Sequence, residues 1–321
     1  MPLPPVLRRL AGSAGGRLAR YALLRLSRRR AGVVLVYHKL GDPPGDPERE
    51  LVPALSPRLF DAQLRHLTRL YRVVPCRELQ GAAAARRRGQ RFPVGISFDD
   101  DLASHVAHTL PALRTHGLPA SFFLSGASLD RPYRFWWERL QEAVAAGRDL
   151  GILADAGIRA RGAGIHDWGD AIEAASPHDR GRAAEALLEL AGPDPDDAGM
   201  RAADVAALAS SGHEIGFHTL RHDAMPALDE AALEAALRDG REALARMAGR
   251  ELATISYPHG KADSRVADAA RAAGYDYGFT GVPAAVTPAD DPLLLPRIDV
   301  LNTTLEDFAR QLVGALERSP A

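Results

Sequence analysis

Only one cysteine, Cys76, occurs in 321 residues, which excludes an internal disulfide and any metal site built on several thiolates, and fits a reducing compartment. No run approaches the ~20 apolar residues of a membrane-spanning helix, so transmembrane anchoring is not expected. Charge of one sign is missing too. Basic residues number 40 and acidic 41, a formal net charge of −1, without the overall field that draws a protein to nucleic acid. Nucleic acid is therefore not an expected partner. Lysine is confined to Lys39 and Lys261, a bias with no functional reading, and neither an internal repeat nor a long low-complexity linker is present. What is there is ordinary for a soluble domain with a large core, 46% hydrophobic and 25% charged residues, and the length admits one barrel or two smaller domains.

Residues 1–30 stand apart, with eight arginines and no acidic residue. Arginines interrupt every stretch that could serve as the apolar core of a signal peptide, so secretion is not expected. The segment reads either as a basic amphipathic element making peripheral contact with an anionic membrane or as a frayed basic tail. A cytoplasmic location, peripheral at the inner membrane face, is the expectation.

From residue 31 the texture is that of alternating strands and helices. The apolar, β-branched run 31–37 and the run 92–98 read as buried strands, followed by strands at 120–124, 214–217, 254–257 and 277–280. Helical periodicity covers 56–70, with Ser56-Pro57 as its start signal, then the segment up to Leu113, 202–210, 230–247 and 264–273, and residues 81–91 read as a basic surface stretch. Strand and helix in alternation predict parallel βα units, an α/β fold whose chemistry sits at the carboxyl ends of the strands. Residues 128–200 break the rhythm and read as a helical insertion over the barrel mouth. Within it Trp136 and Trp137 either stack on the rings of a ligand or pack its core.

Chemistry concentrates at two strand ends. Asp99 and Asp100 close the 92–98 strand, where adjacent carboxylates are costly unless a cation meets them. His218 and His222 follow the 214–217 strand at a spacing that lets two imidazoles share one ion. Two imidazoles and one carboxylate, Asp100, make a three-ligand site with open positions, as in catalytic zinc centres. Asp99 is then free to act as general base. His66, His105, His108, His116, His166 and His178 read as surface residues, and Asp101 as a third carboxylate that crowds or retunes the pair.

The runs Ser97-Phe98-Asp99-Asp100, Gly117-Leu118-Pro119-Ala120-Ser121-Phe122-Phe123 and Gly212-His213-Glu214-Ile215-Gly216-Phe217-His218-Thr219-Leu220-Arg221-His222 resemble, in order and spacing, the polysaccharide deacetylase (NodB-homology, carbohydrate esterase family 4-like) family. The resemblance covers most of residues 31–315. It implies a distorted (β/α) barrel of about seven strands, a divalent metal, zinc by default, held by Asp100, His218 and His222, and Asp99 as base. The family's R-x-P-Y motif, whose backbone helps hold the oxyanion, falls at Ser256-Tyr257-Pro258-His259, with serine in place of arginine. Arg297 is the candidate to orient Asp99 instead. The family's late histidine is not found near Ile298-Asp299-Val300, and His38, at the end of the first strand, resembles the branch that carries its acid histidine there. The implied activity is removal of N-acetyl groups from an amino sugar in a polysaccharide, oligosaccharide or lipid-linked glycan, the N-acetylated carbohydrate being the partner. Two alternatives stay open: an amidohydrolase of small cyclic amides or ureides, and a non-catalytic glycan- or membrane-associated barrel.

Overall fold

The computed structural model describes residues 14–300 and 304–320, so the first thirteen residues of the basic 1–30 segment lie outside the described residues. Burial decides the strands. All five residues of β1 (Val33–Tyr37) and all seven of β3 (Pro93–Asp99) are buried, the pattern of strands covered on both faces. With β4 (Ser121–Leu124), β5 (Glu214–Phe217), β6 (Thr254–Ser256), β7 (Tyr277–Phe279) and β8 (Ile298–Asp299), they form one parallel sheet in the order β7-β6-β5-β4-β3-β1-β8. The short β2 (Arg72–Val73) pairs with the start of β3. A bridge between Phe279 and Leu295 brings the two ends of the sheet together, so the sheet curls into the distorted (β/α) barrel that the sequence pattern predicts.

Helices coat the outside. α1 (Ala14–Arg25) precedes β1, and α2 (Pro57–Leu70) starts where Ser56 accepts a hydrogen bond from the Leu59 N–H and Pro57 fills the first turn. α2 buries Phe60, Leu64 and Leu67 toward the core, worth roughly 2 kcal/mol per side chain. α3 (Leu79–Ala85) lies before β3 and α4 (Leu110–His116) after it. α5 (Trp136–Ala145), α6 (Gly151–Asp155), α7 (Ile165–Ala174) and α8 (Pro177–Ala191) fill the stretch read as an insertion and bury their own apolar cluster, which includes Trp137, Leu140, Leu153, Ile172 and Leu187. α9 (Ala202–Ser210) leads into β5, α10 (Glu230–Arg238) and α11 (Arg241–Ala248) into β6, and α12 (Ser264–Ala272) into β7. The last helix is α13 (Leu305–Arg318).

Four local readings change. The helix expected over 230–247 is two helices, because Gly240 sits in the left-handed region at φ 84° and starts a new one. The helix after Asp101 opens with a π-turn at His105–Thr109. The 81–91 stretch is not simply surface. Its first residues complete α3, and the buried Arg86 guanidinium lies 3.6 Å over the Phe92 ring and donates to the carbonyls of Arg25 and Arg29. The described part of the N-terminal segment is packed rather than frayed, with the Tyr21 ring 4.8 Å from Tyr71 and 6.2 Å from Phe92.

Candidate active site

A cleft of about 640 Å³ opens at the carboxyl ends of the strands, walled on one side by α5 and α7. The ends of β1, β3, β5 and β6 deliver His38, Asp99 with Asp100, His218 with His222, and His259, and Arg297 arrives just before β8. The backbone is strained there. Among the described residues, the non-glycine positions with positive φ are Asp100, Thr219, His222 and His259, all at this end of the barrel. Each costs on the order of 1 kcal/mol and persists only where surrounding structure enforces it, a usual mark of a functional site.

Asp100, His218 and His222 are brought together, their ligand atoms all within 4.8 Å of one another. Both imidazole Nε2 atoms lie 3.5 Å from Asp100 Oδ1. Two ligands at ~2.0–2.1 Å from a tetrahedral zinc stand roughly 3.3 Å apart, so the spacing fits. The donor chemistry fits as well. Asp100 Oδ1 is buried without a hydrogen-bond partner, a costly position that a cation relieves. His218 Nδ1 lies 2.8 Å from the Ser256 carbonyl, to which it must donate, leaving the Nε2 lone pair toward Asp100. Burial lowers the pKa of His218, and burial with the charge of His259 lowers that of His222 further, so both stay in the neutral, ligating form. In the protein alone, burial and then the charges of Asp99 and Asp101 raise Asp100 well above the ordinary carboxylate range.

Asp99 is held differently. The Arg297 guanidinium grips it with two bonds, Nη1 to Oδ1 and Nη2 to Oδ2, each 2.8 Å. Ser256 completes a triangle, accepting from Arg297 Nη2 at 2.7 Å and donating to Asp99 Oδ2 at 2.9 Å. Burial raises the Asp99 pKa, but the charge and hydrogen bonds of Arg297 outweigh it, and the carboxyl titrates well below its usual range. The arginine missing from position 256 is thus matched by one from before β8, and the serine serves as a bridge between the two groups.

The remaining expected residues divide. His38 lines the cleft, its Nδ1 3.9 Å from Asp299 Oδ1. His259 lines it too, its Nδ1 3.4 Å from Glu173 Oε1 on α7, while Lys261 reaches the other oxygen of that carboxylate at 3.4 Å. Tyr257 and Pro258 do not reach the cleft with their side chains. Tyr257 is fully buried and donates to the Leu293 carbonyl at 2.8 Å, and Pro258 is buried beside it, so neither side chain is available to a substrate.

Asp101 turns away from the metal triad. Its carboxylate accepts from Ser125 N–H at 2.7 Å, Ser125 Oγ at 2.8 Å and Ser128 Oγ at 3.3 Å, clamping the loop after β4. His105 is also corrected: it is fully buried, and its Nε2 donates to the carbonyls of Asp99 at 3.1 Å and Asp100 at 3.0 Å, fixing the backbone that carries the aspartates. Burial pushes its pKa down to about 4. Its position six residues after Asp99, inside a π-turn, gave no periodic signal. Sequence reasoning also missed Glu173, which sits in the weakly patterned insertion, and the packing of Trp137 against His222, ring centroids 4.9 Å apart.

The polysaccharide deacetylase family profile matches residues 86–154 and 183–278, just over half of the chain. The chain belongs to the polysaccharide deacetylase family. Three solved structures share the fold. Streptococcus pyogenes deacetylase PplD is 16% identical with a TM-score of 0.60 over 88% of this chain and 98% of its own. IcaB from Ammonifex degensii is 19% identical with a TM-score of 0.59 over 89% and 97%. A de-N-acetylase from Aggregatibacter actinomycetemcomitans is 17% identical with a TM-score of 0.60 over 88% and 100%. A search of curated protein sequences finds no match.

Proposed function

We propose that the chain is a divalent-metal-dependent N-deacetylase of an amino-sugar glycan. The observation that carries this reading is the convergence of one unpartnered carboxylate oxygen and two neutral imidazoles beside a second carboxylate held ionised by arginine. A divalent cation held by Asp100, His218 and His222, zinc by donor type, would supply Lewis acidity toward the acetyl carbonyl and toward water.

The chain's own groups supply the rest. Asp99, kept anionic and oriented by Arg297 and Ser256, accepts a proton from the attacking water as its oxygen bonds to the acetyl carbon. The His259 backbone N–H, at the turn after β6, is the candidate donor to the oxyanion. His38, at the cleft wall, then gives a proton to the departing nitrogen as the C–N bond breaks, releasing acetate and a free amine.

Glycan as substrate is supported by the cleft wall. Trp136 and Trp137 line it and offer aromatic surface against which the apolar face of a pyranose can pack. The related PplD was solved in complex with acetate, the product expected here. The test is acetate release from N-acetylglucosamine oligosaccharides by the full chain supplied with zinc, nickel or cobalt. Asp99→Asn should lower the rate by about 100-fold or more, the usual contribution of a general base. Unchanged turnover in that variant, or no acetate with any of the three metals, contradicts the reading.

A further inference from the structure

The end of the barrel opposite the cleft carries a face that is apolar where a solvent-facing helix should be polar. α1 buries Arg17, Tyr21 and Leu24 against the barrel and turns Leu18, Ala19, Ala22 and Leu23 outward, with Leu26 next in line. At helical spacing these residues make one continuous outward stripe. Leu18 is 46% exposed, Leu23 68% and Leu26 54%, half of the strongly exposed large apolar side chains among the described residues.

The surroundings are basic. Arg28, Arg30, Arg87, Arg88 and Arg91 are exposed. They belong to the two segments that enter β1 and β3, which are tied together by Arg25 Nη2 donating to the Gly89 carbonyl at 2.6 Å and by the Arg86 bonds described above. The acidic side chains that reach α1 are already engaged, Glu306 with Arg17 and Glu317 with Arg20, and residues 1–41 contain no acidic residue. On a chain of net charge −1, this end is a local concentration of arginine around exposed leucine.

We infer that this face docks on an anionic lipid bilayer, with Leu18, Leu23 and Leu26 entering the interface and the arginines meeting lipid phosphates. Leucine on one face of a helix flanked by arginine is what interfacial binding requires, since one term supplies burial and the other attraction to anionic headgroups. A polyanion in solution would use the arginines but gain nothing from the leucines. No described helix is long and apolar enough to cross a membrane, so the contact is peripheral. Docking has a consequence for substrate access. β3, seven residues long, separates the two ends of the barrel by on the order of 20 Å, so the cleft opens away from the lipid and toward glycan standing clear of the headgroups.

The test is co-sedimentation of the full chain with vesicles of phosphatidylcholine mixed with phosphatidylglycerol and with vesicles of phosphatidylcholine alone. Binding is expected to the first and not to the second, weakening as salt rises. The double variant Leu23→Glu, Leu26→Glu should bind at least about tenfold more weakly, and Arg87→Gln with Arg88→Gln roughly fivefold more weakly per arginine removed. Unchanged thermal unfolding and acetate release in both variants separate this effect from misfolding and from the chemistry of the cleft. Absence of vesicle binding, or equal binding to both vesicle types, overturns the inference. So does retention by the leucine variant with loss only in the arginine variant, the mark of a plain polyanion site. Self-association abolished by the leucine changes without lipid binding would instead make the face an interface between copies of the chain.

Discussion

Replacing Arg297 by methionine removes one partner of a buried ion pair and leaves the other in place. Arg297 is 2% exposed and Asp99 3%, and the guanidinium donates to both carboxylate oxygens, to Ser256 Oγ and, through Nε, to the Thr280 carbonyl at 3.2 Å. Breaking such a pair from one side costs about 3–5 kcal/mol, most of it the penalty of an uncompensated buried charge. For about 300 described residues, an unfolding entropy of ~2.1 cal/mol/K per residue makes that a fall in Tm of roughly 5–8 °C. The double change Arg297→Met, Asp99→Asn removes the orphaned charge as well and should recover more than half of the loss, a coupling that additive effects cannot produce. Urea and thermal unfolding followed by circular dichroism on the four proteins of the cycle measure it. A single variant within 1 °C of the parent, or a double variant whose loss equals the sum of the two singles, refutes the claim that Arg297 exists to hold Asp99 charged.

Two smaller tests probe the scaffold. Cys76 is fully buried, and burial pushes its thiol up to about 12, so at pH 8 only about one molecule in ten thousand carries the reactive thiolate; Ellman's reagent should detect no thiol in the folded chain and one in urea, and prompt stoichiometric labelling of the folded chain would contradict that burial. A Cβ at Gly216, in β5, would stand 2.5 Å from Phe123 Cδ1 and 2.6 Å from Thr254 Oγ1, so Gly216→Ala should lose about 1–3 kcal/mol by overpacking, and a variant with unchanged Tm would show that the sheet is looser there than described.

The sequence carried the barrel because its strands are buried on both faces and read as short unbroken apolar runs, as in β1 and β3, whose burial the structure repeats residue by residue. It was blind to β8, two residues long, because Ile298-Asp299 has no length over which a period can register. The metal-type triad was legible from chain-local features, two histidines four apart and an aspartate at a strand end, both placed by strands that were themselves legible. Groups that meet only through folding were not: the Ser256 bridge, Glu173 behind His259, and the serine clamp on Asp101 join residues far apart in the chain, and no spacing announces them. Arg297 was reached by asking what must neutralise Asp99 once position 256 lacked an arginine. His105 was misread as a surface residue for the opposite reason, since nothing adjacent in sequence signals that its ring closes back on the carbonyls of Asp99 and Asp100.

The central claim is that Asp100, His218 and His222 grip one catalytic cation, and metal content of the purified full chain tests it most directly. Elemental analysis after equilibration with zinc and removal of the free ion should give close to one metal per chain for the parent and for Asp99→Asn, and far less for His218→Ala. A parent chain without bound metal, or a His218→Ala chain that retains its ion in full, would contradict the assignment.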